Sequence, residues 1–250
     1  NSSKILKMKK IFVNNGIMYD KIKEFYKSYI ISRENKLPFI TCKLAVSKDL
    51  FTINKRKRWI TNKYSRGRVH LMRSQHDALI TSSKTIKLDN PFLNCRINGL
   101  EMRSPTIIIL DNHLSIPLKS NVIKNSSNNN TIVFYNKFNK KKIKFFKKIG
   151  VKTYKIELNE NGDLNLKDVF LKAKKLGFYR IFLESGIKLA SNFIKEDLVN
   201  DLKIYISKNK LNNNGDGSIN KYFKYFLNKK KYIVEKINLF GDKLISYKIK

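Results

Sequence analysis

From Pro38 onward the chain repeats one alternation: a short apolar run, a stretch with apolar residues at helical spacing, then another apolar run. Parallel neighbours in a sheet need a crossover long enough for a helix, and their strands bury both faces. The pattern therefore constrains the chain to an α/β fold with a largely parallel sheet. Strands are expected over residues 39–46, 78–81, 106–110, 131–135, 151–158, 179–183 and 202–207. Helices are expected over 141–149 and 166–176, stopped by Gly150 and Gly177, and over 188–199 after the turn at Ser185-Gly186. Residues 232–240 and 243–249, joined at Gly241-Asp242, read as a closing antiparallel hairpin. The polar stretches 125–130 and 212–217 read as exposed loops.

Within this frame, residues 59–96 hold scattered polar side chains that composition does not explain. Ser65 is placed to cap a helix on which Val69, Met72 and His76 share a face, with Arg73 one turn beyond Val69. Residues 82–93 read as a polar loop carrying Thr85, Asp89 and the turn Asn90-Pro91, and a strand leaving it is expected to deliver Arg96. Two arginines thus converge near one loop. A second site lies at Glu184-Ser185-Gly186, where a strand ends and a helix begins. Glycine there lets backbone approach a diphosphate, and the free N–H groups of the following turn suit its oxygens.

The formal charge is +34, from 53 Lys+Arg against 19 Asp+Glu. Such a balance suits nucleic acid or an anionic surface. The excess is mostly lysine spread along the chain, however, and a nucleic-acid groove gathers arginine and aromatics in one region. Seven of the nine arginines fall between residues 56 and 103, a pointer to a phosphorylated ligand, because the planar guanidinium fork suits bidentate phosphate contacts. Cys42 and Cys95 lack C-x-x-C spacing, so neither a disulfide framework nor structural zinc is indicated, and a reducing cytoplasm fits. No apolar run is long enough to cross a bilayer.

The ordered elements Trp59-Ile60-Thr61, Val69-His70 with Arg73, Asp77-Ala78, and Thr85 with Asp89-Asn90-Pro91, Leu93 and Arg96 resemble the reductase domain of the bifunctional riboflavin-biosynthesis deaminase/reductase. The likeness continues through PFITCKLAVSKD (38–49), TIIILDN (106–112) and YRIFLESGIKLASNFIKEDLVNDLKIYISK (179–208). It implies a dihydrofolate-reductase-like fold, a mixed and largely parallel sheet flanked by helices. Carried over position by position, it implies NADPH contacts at Ala45, Trp59, Thr85, Asp89, Asn112, Gly186, Ile187, Lys188, Leu189, Ala190, Ser191 and Asn192. It implies substrate contacts at Lys57, Arg73, Leu93, Arg96 and Glu184, with Glu184 as the catalytic position. Read without the resemblance, core packing is the commoner fate of a lone tryptophan such as Trp59, Thr85 and Asp89 are open to loop capping, and His70 and His76 read as helix-packing residues rather than catalysts.

The implied reaction is NADPH-dependent reduction of 5-amino-6-(5-phosphoribosylamino)uracil at ribose C1′, with the phosphate held by Arg73 and Arg96. Water or protonated Glu184 is the expected proton donor. Two departures are specific to this chain: E-S-G-I-K-L replaces the family's E-G-G-P-T-L, and Leu50 stands where a glycine follows S-L-D. If Leu50 does not take the glycine-like turn, the lip of the site differs. Residues 1–36, with an apolar helix face of Ile22, Phe25, Tyr26, Tyr29 and Ile30, resemble the tail of an upstream deaminase domain, leaving 37–250 as the reductase domain. The initial Asn1 fits a fragment or processed product. The three histidines, His70, His76 and His113, have no H-x-E or P-C-x-x-C company, so neither zinc nor deamination is expected. The alternatives are a basic nucleic-acid-binding (ribosomal-type) protein, for which charge is the only argument, and a same-fold reductase of another pterin- or pyrimidine-like compound. No nucleic-acid or membrane partner is expected, and a homodimer is compatible with the sequence.

Overall fold

The computed structural model describes residues 2–219 and 221–250, without the side chains of Lys221 and Tyr222. In chain order the elements are α1 (Ser2–Met8), α2 (Tyr19–Glu34), β1 (Phe39–Val46), β2 (Phe51–Asn54), α3 (Lys63–Ser74), β3 (Ala78–Ser82), α4 (Ser83–Asp89), β4 (Thr106–Leu110), α5 (Asn121–Lys124) and β5 (Thr131–Tyr135). They continue with α6 (Lys140–Lys148), β6 (Lys152–Lys155), α7 (Leu166–Lys175), β7 (Arg180–Glu184), α8 (Ile187–Lys195), β8 (Asp201–Ile206), β9 (Gly215–Ser218), α9 (Lys221–Asn228), β10 (Tyr232–Val234) and β11 (Lys243–Lys248). Nine strands form one sheet in the order β10-β11-β8-β1-β7-β3-β4-β5-β6. Every pairing from β8 through β6 is parallel, whereas β11 and β10 close the other edge antiparallel. This is the mixed, largely parallel sheet flanked by helices that the resemblance implied.

The two-residue period of the strands divides the core into two layers. Ile40, Cys42, Leu44, Ile80, Ile108, Phe134, Ile181 and Leu183 pack on one face with Val169 and Phe170 of α7 and Phe193 of α8. Leu79, Ile107, Ile109, Val133, Phe182 and Tyr205 pack on the other with Val69 and Met72 of α3, Ile86 of α4 and Phe146 of α6. Both cysteines are buried and unpaired, and burial pushes the Cys42 thiol up to about 12. None of the described helices is long and apolar enough to cross a membrane.

Several local expectations are corrected. The cap of α3 is Asn62, whose side-chain oxygen accepts from the Tyr64 and Ser65 amides. Ser65 lies inside the first turn, fully buried, and donates its hydroxyl to Asp242 Oδ2 at 2.7 Å. His76 falls just past the helix end, so it does not continue the Val69–Met72 face. Residues 82–93 are not a loop throughout, because Ser82 caps the helix α4 and only the left-handed Asn90 (φ 39°) ends it. No strand delivers Arg96; it follows the left-handed Leu93 (φ 58°) on irregular chain. β6 stops at Lys155, α8 at Lys195, and β10 covers only Tyr232–Val234 of the expected first hairpin arm. The stretch 212–217 is no free loop, since β9 pairs antiparallel with β2 in a separate two-stranded ribbon. That ribbon begins after the turn Ser47–Leu50, where Leu50 does adopt the glycine-like conformation (φ 69°). Ser47 Oγ donates to Asp49 Oδ1 at 2.6 Å, and Leu50 N–H closes on Ser47 O at 2.9 Å.

At the opposite end of the sheet, α2 lies against the amino ends of β1, β7 and β8. Lys27 pairs with Asp201 at 2.9 Å, and the Arg33 guanidinium sits over Tyr179. Its Ile22, Phe25, Tyr26 and Tyr29 remain exposed.

His76 ties α3 to β1. Its Nδ1–H donates to Met72 O at 2.6 Å, so Nε2 accepts from the Thr41 hydroxyl at 3.1 Å. Burial holds the ring's pKa below its ordinary value, keeping it neutral. The unfolded chain takes up a proton near pH ~6.5 while the folded ring refuses it, so stability is fully present above that pH and falls as pH drops below it. Urea unfolding followed between pH 5 and 8 is expected to show this decline in the wild type, and a shallower one in His76→Gln.

Candidate active site

The parallel strands β1, β3, β4 and β7 bring their carboxyl ends to one cleft of about 1630 Å³, roofed by the β2–β9 ribbon and walled by the start of α8. This is where open parallel sheets bind ligands, since the loops that follow each strand diverge there. The β1/β7 register sets Lys43 beside Glu184. Strand alternation sends Cys42 and Leu44 into the core and turns Lys43 the other way, toward α3.

Arg73 reaches this pair from α3 and is itself nearly buried, 7% exposed. Its Nε and Nη2 grip Glu184 Oε2 and Oε1 at 3.0 and 2.9 Å, and Nη1 donates to Asn94 O at 2.9 Å. Lys43 Nζ lies 3.9 Å from Glu184 Oε1. Burial alone would raise the Glu184 pKa, but the Arg73 and Lys43 charges outweigh it and hold the carboxyl below its ordinary value. The Lys43 ammonium is lowered by burial, with Glu184 opposing that loss and Arg73 adding to it. Glu184 is thus a carboxylate, not the protonated acid that the sequence left open as proton donor.

Arg96 stands at the mouth and is exposed. Its Nη1 donates to Asn94 Oδ1 at 3.1 Å and its Nη2 meets His70 Nε2 at 3.2 Å, with no acidic partner among the described residues. Both arginines therefore face one cleft with unequal freedom: Arg73 has its fork on Glu184, whereas Arg96 keeps donors free for a ligand.

Across the cleft, Gly186 caps α8 without any side-chain hydrogen bond to its first amides. A Cβ added at Gly186 would meet nothing within 4 Å, so the approach to those amides is open. Asn112, at the exit of β4, donates from Nδ2 to Gly162 O at 3.1 Å, while its buried Oδ1 has no partner. Trp59 is not core packing. It is half exposed, with the Arg58 and Arg66 guanidiniums each 4.8 Å from its ring.

Of the positions singled out in the sequence, Ala45, Lys57, Trp59, Arg73, Thr85, Asp89, Leu93, Arg96, Asn112, Glu184, Gly186, Ile187, Lys188, Leu189 and Asn192 line this cleft. Ala190 and Ser191 do not: the helical turn of α8 points Ala190 into the core at 0% exposure, and Ser191 is buried beside it. Sequence reasoning missed Lys43, whose signal was a single charge inside the apolar run FITCKLAV. It also missed His70, read as packing, and Asp216 and Gly217, which reach the cleft only because β9 pairs with β2.

Comparison with known proteins shows the family and the fold. A family model described as RibD C-terminal domain matches residues 38–208, more than half of the chain. The riboflavin biosynthesis protein RibD of Aquifex aeolicus (strain VF5) is 30% identical over 199 residues, 79% of this chain and 54% of that protein. The chain thus spans about half the length of the curated relatives it matches. Among solved structures, RibD of Acinetobacter baumannii (form 1) superposes with a TM-score of 0.78 at 22% identity, over 98% of this chain and 67% of that one. The Saccharomyces riboflavin biosynthesis reductase Rib7 gives 0.66 at 18% identity, over 91% of this chain and 98% of that one. At those identities the structures speak for the fold. A basic nucleic-acid-binding role is not favoured by these matches.

The unequal burial of the two arginines has a measurable consequence. Arg73→Ala strands a buried carboxylate beside Lys43 and is expected to cost about 3 kcal/mol. Arg96→Ala removes an exposed cation and is expected to cost less than about 1 kcal/mol. Urea denaturation midpoints at constant m-value compare the two.

Proposed function

The chain belongs to the RibD C-terminal domain family, and from that premise we propose that it is an NADPH-dependent reductase acting on the ribose C1′ of 5-amino-6-(5-phosphoribosylamino)uracil. The observation that carries this reading is the single cleft that has an open helix N-terminus on one wall and an ionised Glu184, fixed by Arg73, on its floor. A dinucleotide fits the first wall: the amides of Ile187–Leu189 and the Lys188 charge suit a diphosphate, and the unpartnered Asn112 Oδ1 suits a ribose hydroxyl. Ala45, Trp59, Thr85 and Asp89 line the same cleft from the α3 and α4 side of the sheet and complete the cofactor contacts. When bound, NADPH supplies the hydride that C1′ accepts.

The residues of the chain do the rest. Arg96 takes the 5′-phosphate, since its donors are free, while Arg73 serves by holding Glu184 in place. Opening of the ribose ring builds positive charge at C1′, and the Glu184 carboxylate stabilises it at no reorganisation cost, because Arg73 has already set its orientation. The ring oxygen must gain a proton as its bond to C1′ breaks. Lys43 Nζ, whose pKa burial holds below its ordinary value and which lies 3.9 Å from Glu184 Oε1, is a nearby group that carries one. Lys57 and Leu93 shape the substrate side of the mouth.

On the same reading 37–250 is the reductase domain, and 1–36 belongs with a neighbouring domain of the longer relatives. The exposed Ile22, Phe25, Tyr26 and Tyr29 on α2 are what such a neighbour would cover.

Absorbance of NADPH tests the assignment. The purified chain is expected to oxidise it with the phosphorylated ribosylaminouracil and not with the undeaminated diaminopyrimidine or dihydrofolate. Arg96→Ala is expected to raise KM roughly tenfold with kcat little changed, as loss of one charge-assisted contact would do. Glu184→Gln is expected to lower kcat by about 100-fold or more. Consumption with dihydrofolate instead would assign the fold to another substrate.

A further inference from the structure

His70 is one turn before Arg73 on α3, and both of its ring nitrogens meet polar groups of the cleft mouth. Nδ1 lies 3.1 Å from Asn94 O, 3.1 Å from the Arg96 amide nitrogen and 3.5 Å from Arg73 Nη1. Nε2 lies 3.2 Å from Arg96 Nη2. A neutral imidazole has one N–H and one lone pair. If Nδ1 carries the proton it donates to Asn94 O, and Nε2 accepts from the Arg96 guanidinium. If Nε2 carries it, Nδ1 accepts from the Arg96 main-chain N–H. With the proton on Nδ1 the hydrogen that His70 accepts belongs to the Arg96 guanidinium; with it on Nε2 the donors are the Arg96 main chain and, at 3.5 Å, Arg73 Nη1.

A protonated ring would have no lone pair to offer and would add a third cation between two guanidiniums. The charged groups facing it are Arg73 on its own helix, Arg96 on the irregular chain after α4 and Glu184 on β7. Burial, then Arg73 and Arg96, hold its pKa down to about 4, the Glu184 charge and the Asn94 carbonyl opposing them only in part. The ring therefore stays neutral throughout the range in which an enzyme of this kind works.

We propose that His70 is a positioning residue for the phosphate grip: neutral, with its proton on Nδ1, it donates to Asn94 O of the Arg96 loop and accepts from the Arg96 guanidinium at Nε2, so that Arg96 meets a phosphomonoester already oriented. This rests on the assignment of Arg96 to the substrate phosphate. Among the described residues Arg96 has no carboxylate within salt-bridge distance to orient it; its other side-chain contacts are Asn94 Oδ1 at 3.1 Å and the face of the Phe92 ring at 5.9 Å, so the imidazole supplies one of two hydrogen bonds that fix its direction. Holding it in place spares the ligand the cost of ordering a long side chain. The same ring contacts Asn94 O, which also receives Arg73 Nη1, so one histidine couples the phosphate grip to the carboxylate on the floor.

The test uses the full chain and two readouts. The first is calorimetric binding of ribose 5-phosphate to the wild type, His70→Ala, His70→Gln, Arg96→Ala and the double variant His70→Ala/Arg96→Ala. The second is the kcat and KM of NADPH oxidation with the phosphorylated ribosylaminouracil. His70→Ala is expected to weaken ribose 5-phosphate about tenfold and to raise KM similarly with kcat little changed. His70→Gln, whose amide oxygen can reach Arg96, is expected to restore most of that loss. In the Arg96→Ala background, removal of His70 is expected to add nothing, because the two act as a unit. Unchanged binding in His70→Ala, an additive loss in the double variant, or a fall in kcat without a change in KM would each overturn the proposal, as would absence of ribose 5-phosphate binding by the wild type. If ribose 5-phosphate binding follows the expected pattern while the wild type oxidises no NADPH with the ribosylaminouracil, the positioning role stands and the substrate assignment is what fails.

Discussion

The arrangement of this molecule turns on one ion pair, the Arg73 fork on the Glu184 carboxylate. A carboxylate in a cleft floor among strand ends would ordinarily take up a proton to escape desolvation. Two parallel N–H···O contacts and a neighbouring ammonium remove that option, so Glu184 enters any reaction as a fixed negative charge. The same contacts tie α3 to β7 and, through Asn94, to the loop that carries Arg96. Removal of the pair would therefore loosen the chemistry and the packing together.

Sheet topology makes the pair possible. Parallel β1 and β7 align their carboxyl ends, and their register brings Lys43 and Glu184 side by side from segments about 140 residues apart in the chain. The turn after β7 goes straight into α8, so the free amides of that helix face the same opening as the charged floor. The helix N-terminus, both arginines and Glu184 therefore line one cleft. The β2–β9 ribbon, held to Ser47–Leu50 by a turn that Leu50 completes despite its side chain, covers the opening.

Much of this was legible in the residues. The largely apolar runs 39–46, 106–110 and 131–135 coincide with observed strands because a buried parallel strand leaves a short apolar run rich in β-branched and aromatic residues, too short for an ordinary helix. Arg73, Arg96 and Glu184 stood out as charges set among apolar or turn residues. What failed to show has physical reasons. The true cap of α3 was hidden because Asn62 and Ser65 are both good capping residues, and only the contact with Asp242, far along the chain, decides between them. The β2–β9 ribbon was invisible because Gly215–Ser218 has no strand propensity and is held by its partner alone. His70 was read as packing since its role depends on a loop that local spacing does not place.

The most direct measurement of the central claim is the titration of Glu184 itself, followed by carbon NMR of the protein labelled at glutamate carboxyls. The account predicts a carboxyl resonance that stays in its ionised position well below the ordinary value of 4.5 and moves to an ordinary or raised value in Arg73→Met. A wild-type Glu184 that takes up its proton at or above 4.5 would show that Arg73 and Lys43 do not control it, and the cleft floor would lack the fixed charge on which the rest depends.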